Sequence, residues 1–125
     1  MEEVKMGIHP LISSRIWKLN RRIESLENRM IENRRFANIL NAHKDPILHG
    51  ETPDVGGAIQ TQLAKLVQNL RKHKAVNNDS GRIFLEERIR KLRQTADEHE
   101  RLIAALNREK AKLLDKLKKG LFPVR

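Results

Sequence analysis

Residues 80–119 read SGRIFLEERIRKLRQTADEHERLIAALNREKAKLLDKLKK. Within them Leu85, Ile89, Leu92, Ala96, His99, Ile103, Leu106, Lys110, Leu113 and Leu117 follow one another in alternating steps of four and three. That spacing lays one stripe along an α-helix, the a/d seam of a coiled coil. The helix it predicts is roughly 60 Å long at 1.5 Å per residue. Asp79 or Ser80 is placed to cap its start, Lys116, Lys118 and Lys119 suit the negative end of its dipole, and Gly120 and Pro123 stop it. So long a seam cannot be buried by its own helix, so the rest of the chain is read for what covers it.

Upstream the same pattern recurs. Ile12, Ile16, Leu19, Ile23, Leu26, Met30, Asn33, Ala37 and Leu40 predict a second long helix over 10–45, with Pro10 as its first residue and Asp45-Pro46 closing it. Ile31, Phe36 and Ile39 widen its stripe, as expected where a third element packs alongside. Residues 1–9 read as a flexible N-terminus and 120–125 as a tail. Residues 46–57 hold two prolines and three glycines and read as a linker, although Thr52-Pro53-Asp54 suits a helix start. Ile59, Leu63, Leu66, Leu70 and His73 then mark one face of a shorter helix, and Asn77-Asn78-Asp79-Ser80-Gly81 reverses the chain.

The fold class is therefore all-α: two long heptad helices and a shorter one. Residues 58–119 form a helical hairpin, because a short connection makes neighbouring helices antiparallel. The first helix is long enough to lie along both arms. From Ile103 onward the last helix outruns its hairpin partner, and its leucines need either the first helix or a second copy; oligomerisation is expected, with Ile16, Leu19, Ile23, Leu26, Leu106, Leu113 and Leu117 as the seam of a coiled-coil bundle. Asn33, Lys110, His73 and His99 are polar seam positions that set register; for the two histidines a pH-dependent interface is the other reading.

Composition bounds the function. Charged residues make up 34% and aromatics 3% of 125 residues, which suits helical rods better than β-structure. The chain has no cysteine, so disulfides and thiolate metal sites are excluded. No apolar run approaches membrane-spanning length and the N-terminus is unlike a signal peptide, so the expected location is the cytoplasm or a nucleoprotein or virion assembly, without secretion or membrane contact. Enzymatic activity is not expected, since thin rods offer few pockets in which catalytic groups converge. His43, Asp45, His49 and Glu51 could ligate zinc, but they sit in a proline- and glycine-containing loop that does not fix ligand geometry. No metal and no cofactor is expected.

The formal net charge of +10 turns attention to the basic residues. Arg15, Arg22 and Arg29 recur every seven residues beside the first seam. Arg71, Lys72 and Lys74 end the short helix, and Arg82, Arg88, Arg90, Lys91 and Arg93 open the long one across the turn. The pairs Glu86–Arg90, Glu87–Lys91, Asp97–Arg101 and Asp115–Lys119 are expected at i,i+4. The hairpin tip should nevertheless remain strongly positive. Ser80 and the N–H groups of Gly81 and Arg82 at a helix N-terminus would add donors for a phosphate. Trp17 is off the seam and reads as a packing residue rather than a base-stacking platform.

Leu63, Leu66, Leu70, His73, Lys74, Ser80 and Arg82 make this hairpin resemble that of the helical ribosomal protein that is fifteenth in the small-subunit series. The likeness covers about a quarter of the chain. It implies contact between the turn, His73 and Ser80 included, and ribosomal RNA. The chain departs from that pattern by one inserted residue, and it lacks the Arg-Arg-Gly that follows the serine there.

The function expected is a non-enzymatic, oligomeric helical protein that holds DNA or RNA through backbone contacts, without sequence preference. Its rival is a structural or adaptor coiled coil that docks helical protein partners. Salt separates the two, because phosphate binding releases counterions and apolar docking does not.

Overall fold

A computed structural model describes the backbone of residues 2–120 and the side chains of residues 10–119. The backbone of residues 2–9, expected to precede the first helix, is already helical, while their side chains and the tail beyond 120 lie outside that range. The chain is all-α and no strand occurs among the described residues. Its elements are α1 (Glu2–Ala42), α2 (Lys44–Leu48), α3 (Gly57–Lys72) and α4 (Asp79–Gly120). Pro10 lies inside α1 rather than at its start, where its missing N–H removes one rung of the helical ladder. The chain divides into two compact units, Ile31–Ala96 and the combination of Met1–Met30 with Asp97–Arg125.

In the unit Ile31–Ala96 one core gathers residues from every helix. Phe36, Ala37 and Leu40 of α1, Ile47 of α2, Leu63, Val67 and Leu70 of α3, and Leu85, Ile89 and Leu92 of α4 are buried together, with Ala75 of the turn among them. Leu40, Ile47, Leu63 and Leu85 are completely buried, each contributing about 1.5–3 kcal/mol by leaving water. Here α1 and α4 run antiparallel, for Arg93 reaches Asn38 while Lys44 reaches Glu86 at 3.6 Å.

Three expectations for this unit change. Residues 46–48 belong to a helix, not a linker. Pro46 falls in the first turn of α2, where N–H groups have no intrahelical partner, so the proline costs little and Ile47 enters the core. On α3 the stripe facing the core is Leu63, Val67 and Leu70. Leu66 is only half-buried and His73 is an exposed helix-end residue, not a seam position. Ile31 is 59% exposed and does not widen the stripe of α1.

The helix starts also differ from expectation. Thr52-Pro53-Asp54 remains in the loop, and α3 begins at Gly57. Gln60 secures that start: its Oε1 accepts the N–H groups of Val55 and Gly56 at 2.7 and 3.0 Å, and its Nε2 donates to the Pro53 carbonyl at 2.9 Å. For α4 the capping residue is Asn78, whose Oδ1 accepts the Gly81 N–H at 3.1 Å.

In the other unit, Leu19, Ile23 and Leu26 of α1 bury together with Leu106 of α4, and Ile103 and Leu113 pack on them. Arg15 donates to Glu109 at 2.7 Å along the same pair. Leu106 therefore finds cover within its own chain, so its burial does not require a second copy. Ile16, Leu113 and Leu117 are half-buried. His99 is half-buried on the predicted seam, and its Nδ1 has no hydrogen-bond partner among the described residues.

Candidate nucleic-acid interface

The turn between α3 and α4 is built by backbone chemistry that the sequence only hints at. Leu70 accepts the Ala75 N–H at 2.8 Å and Arg71 accepts that of Lys74 at 3.1 Å. This is a Schellman ending, with Lys74 in the left-handed region at φ 53° where glycine is the usual residue. Asn77 is left-handed too, at φ 62°. The Asn78 Nδ2 then donates back to the Lys74 carbonyl at 2.7 Å, locking helix end to helix start. Gly81 is buried at this crossing.

This turn rests on the end of α2. The Asn77 N–H donates to the Leu48 carbonyl at 2.8 Å, and the Arg71 guanidinium donates to the Gly50 carbonyl. Gly50 is buried, and a Cβ there would meet the Arg71 Nε and a Val76 methyl at 3.2 Å. Arg71 thus holds the loop through one guanidinium nitrogen while remaining exposed.

The remaining basic residues divide by their partners. Arg90 binds Glu87 through two guanidinium nitrogens and also donates to Gln94. Arg90 holds the Glu87 carboxyl below its usual range, and Glu87 in turn raises Arg90. Lys91 lies 4.0 Å from the same carboxylate. The i,i+4 pairs Glu87–Lys91 and Asp115–Lys119 form, whereas Glu86 turns to Lys44 and leaves Arg90 to Glu87. Arg93 contacts Asn38. Lys72, Lys74, Arg82 and Arg88 are exposed and make no ion pair or hydrogen bond through their side chains among the described residues.

Ser80 is exposed in the first turn of α4. The N–H groups expected to join it are already used: Gly81 donates to the Asn78 side chain and Arg82 to the Asn78 carbonyl. Arg15, Arg22 and Arg29 are exposed on α1 in the other unit, and Arg15 is paired with Glu109. Arg21, not one of the expected ligands, lies 5.2 Å over the Trp17 ring.

Beside the tip, α1, α3 and α4 enclose an open groove of about 1760 Å³. Phe36, Leu66, Ile83, Phe84 and Leu92 supply its apolar surface. Lys65, Arg71, Lys72, Arg88 and Lys91 line it, with Glu32 and Glu87 as its carboxylates among the described residues. The sequence reading missed this groove. Its signal was the pair Ile83-Phe84, which lies beside the seam residue Leu85 and does not fit the a/d pattern.

Among the described residues no three histidine or acidic side chains come together as a metal site; the His49 ring instead meets the Asp45 carbonyl at 2.6 Å. No helix among them is long and apolar enough to cross a membrane. Comparison with known proteins gives no match to a family model, a curated protein or a solved structure.

Proposed function

We propose that the chain is a non-enzymatic helical protein that holds nucleic acid by its phosphate backbone at the α3–α4 turn. The observation that carries this reading is the cation set Lys72, Lys74 and Arg82. All three are exposed, lie within one helical turn of the reversal, and have no carboxylate partner among the described residues. Arg88 and Ser80 extend the same surface. A phosphate backbone meets such a tip with little desolvation, and contacts of this kind position a polymer without reading its sequence. The net charge of +10 adds long-range attraction.

The finer architecture belongs to the same proposal. The α1–α4 pair in the unit containing Leu106 is read as a coiled coil, and its half-covered Ile16, Leu113 and Leu117 are where a second copy would add cover.

Salt titration tests the function. Each phosphate contact contributes a slope of about −0.9 in log affinity against log salt for duplex DNA. Replacing Lys72, Lys74 and Arg82 together by glutamine is expected to flatten the slope by about two to three units, equally for unrelated sequences. An unchanged affinity and slope on both duplex DNA and RNA would remove the reading.

A further inference from the structure

The groove beside the tip carries chemistry that phosphate contact does not use. Ile83 is 67% exposed and Phe84 42% exposed, and the half-buried Leu66 faces the same space from α3. Leu66, Ile83 and Phe84 line one space rimmed by polar and charged residues, the pattern that marks contact surfaces. Cations surround them. Lys65 and Lys72 stand on α3, Arg88 and Lys91 on α4, against two acids among the described residues: Glu87, held by Arg90 with Lys91 4.0 Å away, and Glu32 of α1.

We infer that this groove docks an acidic amphipathic helix of a partner protein, with apolar side chains on Leu66, Ile83 and Phe84 and carboxylates against Lys65, Arg88 and Lys91. Size permits it. The groove is lined along α3 from Gln62 to Lys72 and along α4 from Ser80 to Leu92, about 15–18 Å of helix at 1.5 Å per residue, which suits a partner helix of about three turns. Charge selects the partner, since an acidic helix is attracted to the rim and a basic one is repelled. A second copy of this chain would bring its own positive charge, part of the +10, against that rim. A single strand of nucleic acid would satisfy the cations but leave Ile83 and Leu66 without a match, because bases stack on aromatic rings and only Phe84 is an exposed ring here. This inference shares Lys72 and Arg88 with the phosphate reading, but Lys74 and Arg82, which that reading also needs, lie outside the groove.

The test uses the full chain and two designed peptides of about three turns. Both carry leucines at i, i+3, i+4 and i+7; one has glutamates elsewhere and the other lysines. The glutamate peptide is expected to bind, and to shift the backbone NMR signals of Leu66, Ile83 and Phe84, while the lysine peptide does not. Phe84→Ala with Ile83→Ala should weaken binding by about tenfold or more. Both positions are exposed, so folding should persist, as circular dichroism would verify. Lys65→Glu with Arg88→Glu should invert the preference toward the lysine peptide. Equal binding of both peptides, or of neither, overturns the proposal. It also falls if oligouridylate shifts Ile83 and Phe84 while the glutamate peptide does not, for the groove would then belong to nucleic acid. If the wild type dimerises in sedimentation and Ile83→Asp makes it monomeric, a second copy is the occupant and the proposal is again overturned. Loss of salt-dependent phosphate binding with peptide binding intact would defeat the tip reading and leave this one standing.

Discussion

The carbonyl oxygen of Ala75 lies 2.0 Å from where a Cβ on Gly81 would sit. A real Cβ cannot approach a backbone oxygen so closely, so one side of the turn would have to move. Helix propensity alone favours Gly81→Ala by about 1 kcal/mol. Overpacking against a backbone atom costs typically 1–3 kcal/mol, and this turn is tied by hydrogen bonds on both sides of the crossing. Net destabilisation is expected, measured as a lower midpoint in urea at unchanged m-value. A stabilised variant would show that the turn yields easily.

Lys74 gives the opposite expectation. It holds a left-handed conformation at φ 53°, which costs a side-chain-bearing residue about 1–2 kcal/mol. Lys74→Gly relieves that strain and adds some freedom to the unfolded chain, so a net gain of about 0.5–1 kcal/mol is expected in thermal melting. The same change removes one cation of the proposed phosphate site, so on that proposal stability should rise as nucleic-acid affinity falls. A joint fall of both would contradict this account of the turn.

Arg71 separates the structural cations from those proposed to bind phosphate. Arg71→Met leaves the buried Gly50 carbonyl without its donor, and an unsatisfied buried acceptor costs about 1–3 kcal/mol. The salt slope of nucleic-acid binding should stay within experimental error of wild type once the variant is measured well below its melting temperature. A slope flattened as much as by Lys72→Gln would return Arg71 to the interface.

Leu106 reports on assembly. It is 8% exposed beneath Leu19, Ile23 and Leu26 of its own chain, so Leu106→Ala should cost about 2–5 kcal/mol. Leu114 is 45% exposed, and Leu114→Ala should stay within about 0.5 kcal/mol of wild type. If the cover is intramolecular, the melting temperature of Leu106→Ala will not depend on protein concentration. A marked dependence would show that a second chain completes this core.

The heptads made the two long helices legible, because a buried stripe has to repeat where the helix faces its neighbour. Every predicted seam position from Leu85 to Leu117 is buried or half-buried, and so is every one from Ile12 to Leu40. Periodicity could not distinguish cover by the same chain from cover by another, and Leu106 shows the difference. Nor could it find Ile47, since five residues are too few to show a period and Pro46 is a strong signal for a break. At the tip, the count of positive charges was readable from sequence. Which of them were already occupied was not, because the acceptors for Arg71 and Arg93, Gly50 and Asn38, are 21 and 55 residues away. Asn78 outcompeted Asp79 and Ser80 as the cap because the chain reverses through left-handed Asn77, which brings the next side chain to the free N–H groups.

Glycines and prolines between α2 and α3 suggest an easy target for a protease, yet the segment is fastened at several backbone groups. Gln60 clasps the segment at Pro53, Val55 and Gly56, Arg71 holds it at Gly50, and the Glu51 N–H is bound to the Pro46 carbonyl at 2.9 Å. A protease needs about ten residues drawn out in extended form, which this clasp opposes. Cleavage there would have to wait for α3 to come away from the core, so the segment's resistance to digestion becomes a gauge of how often that helix undocks.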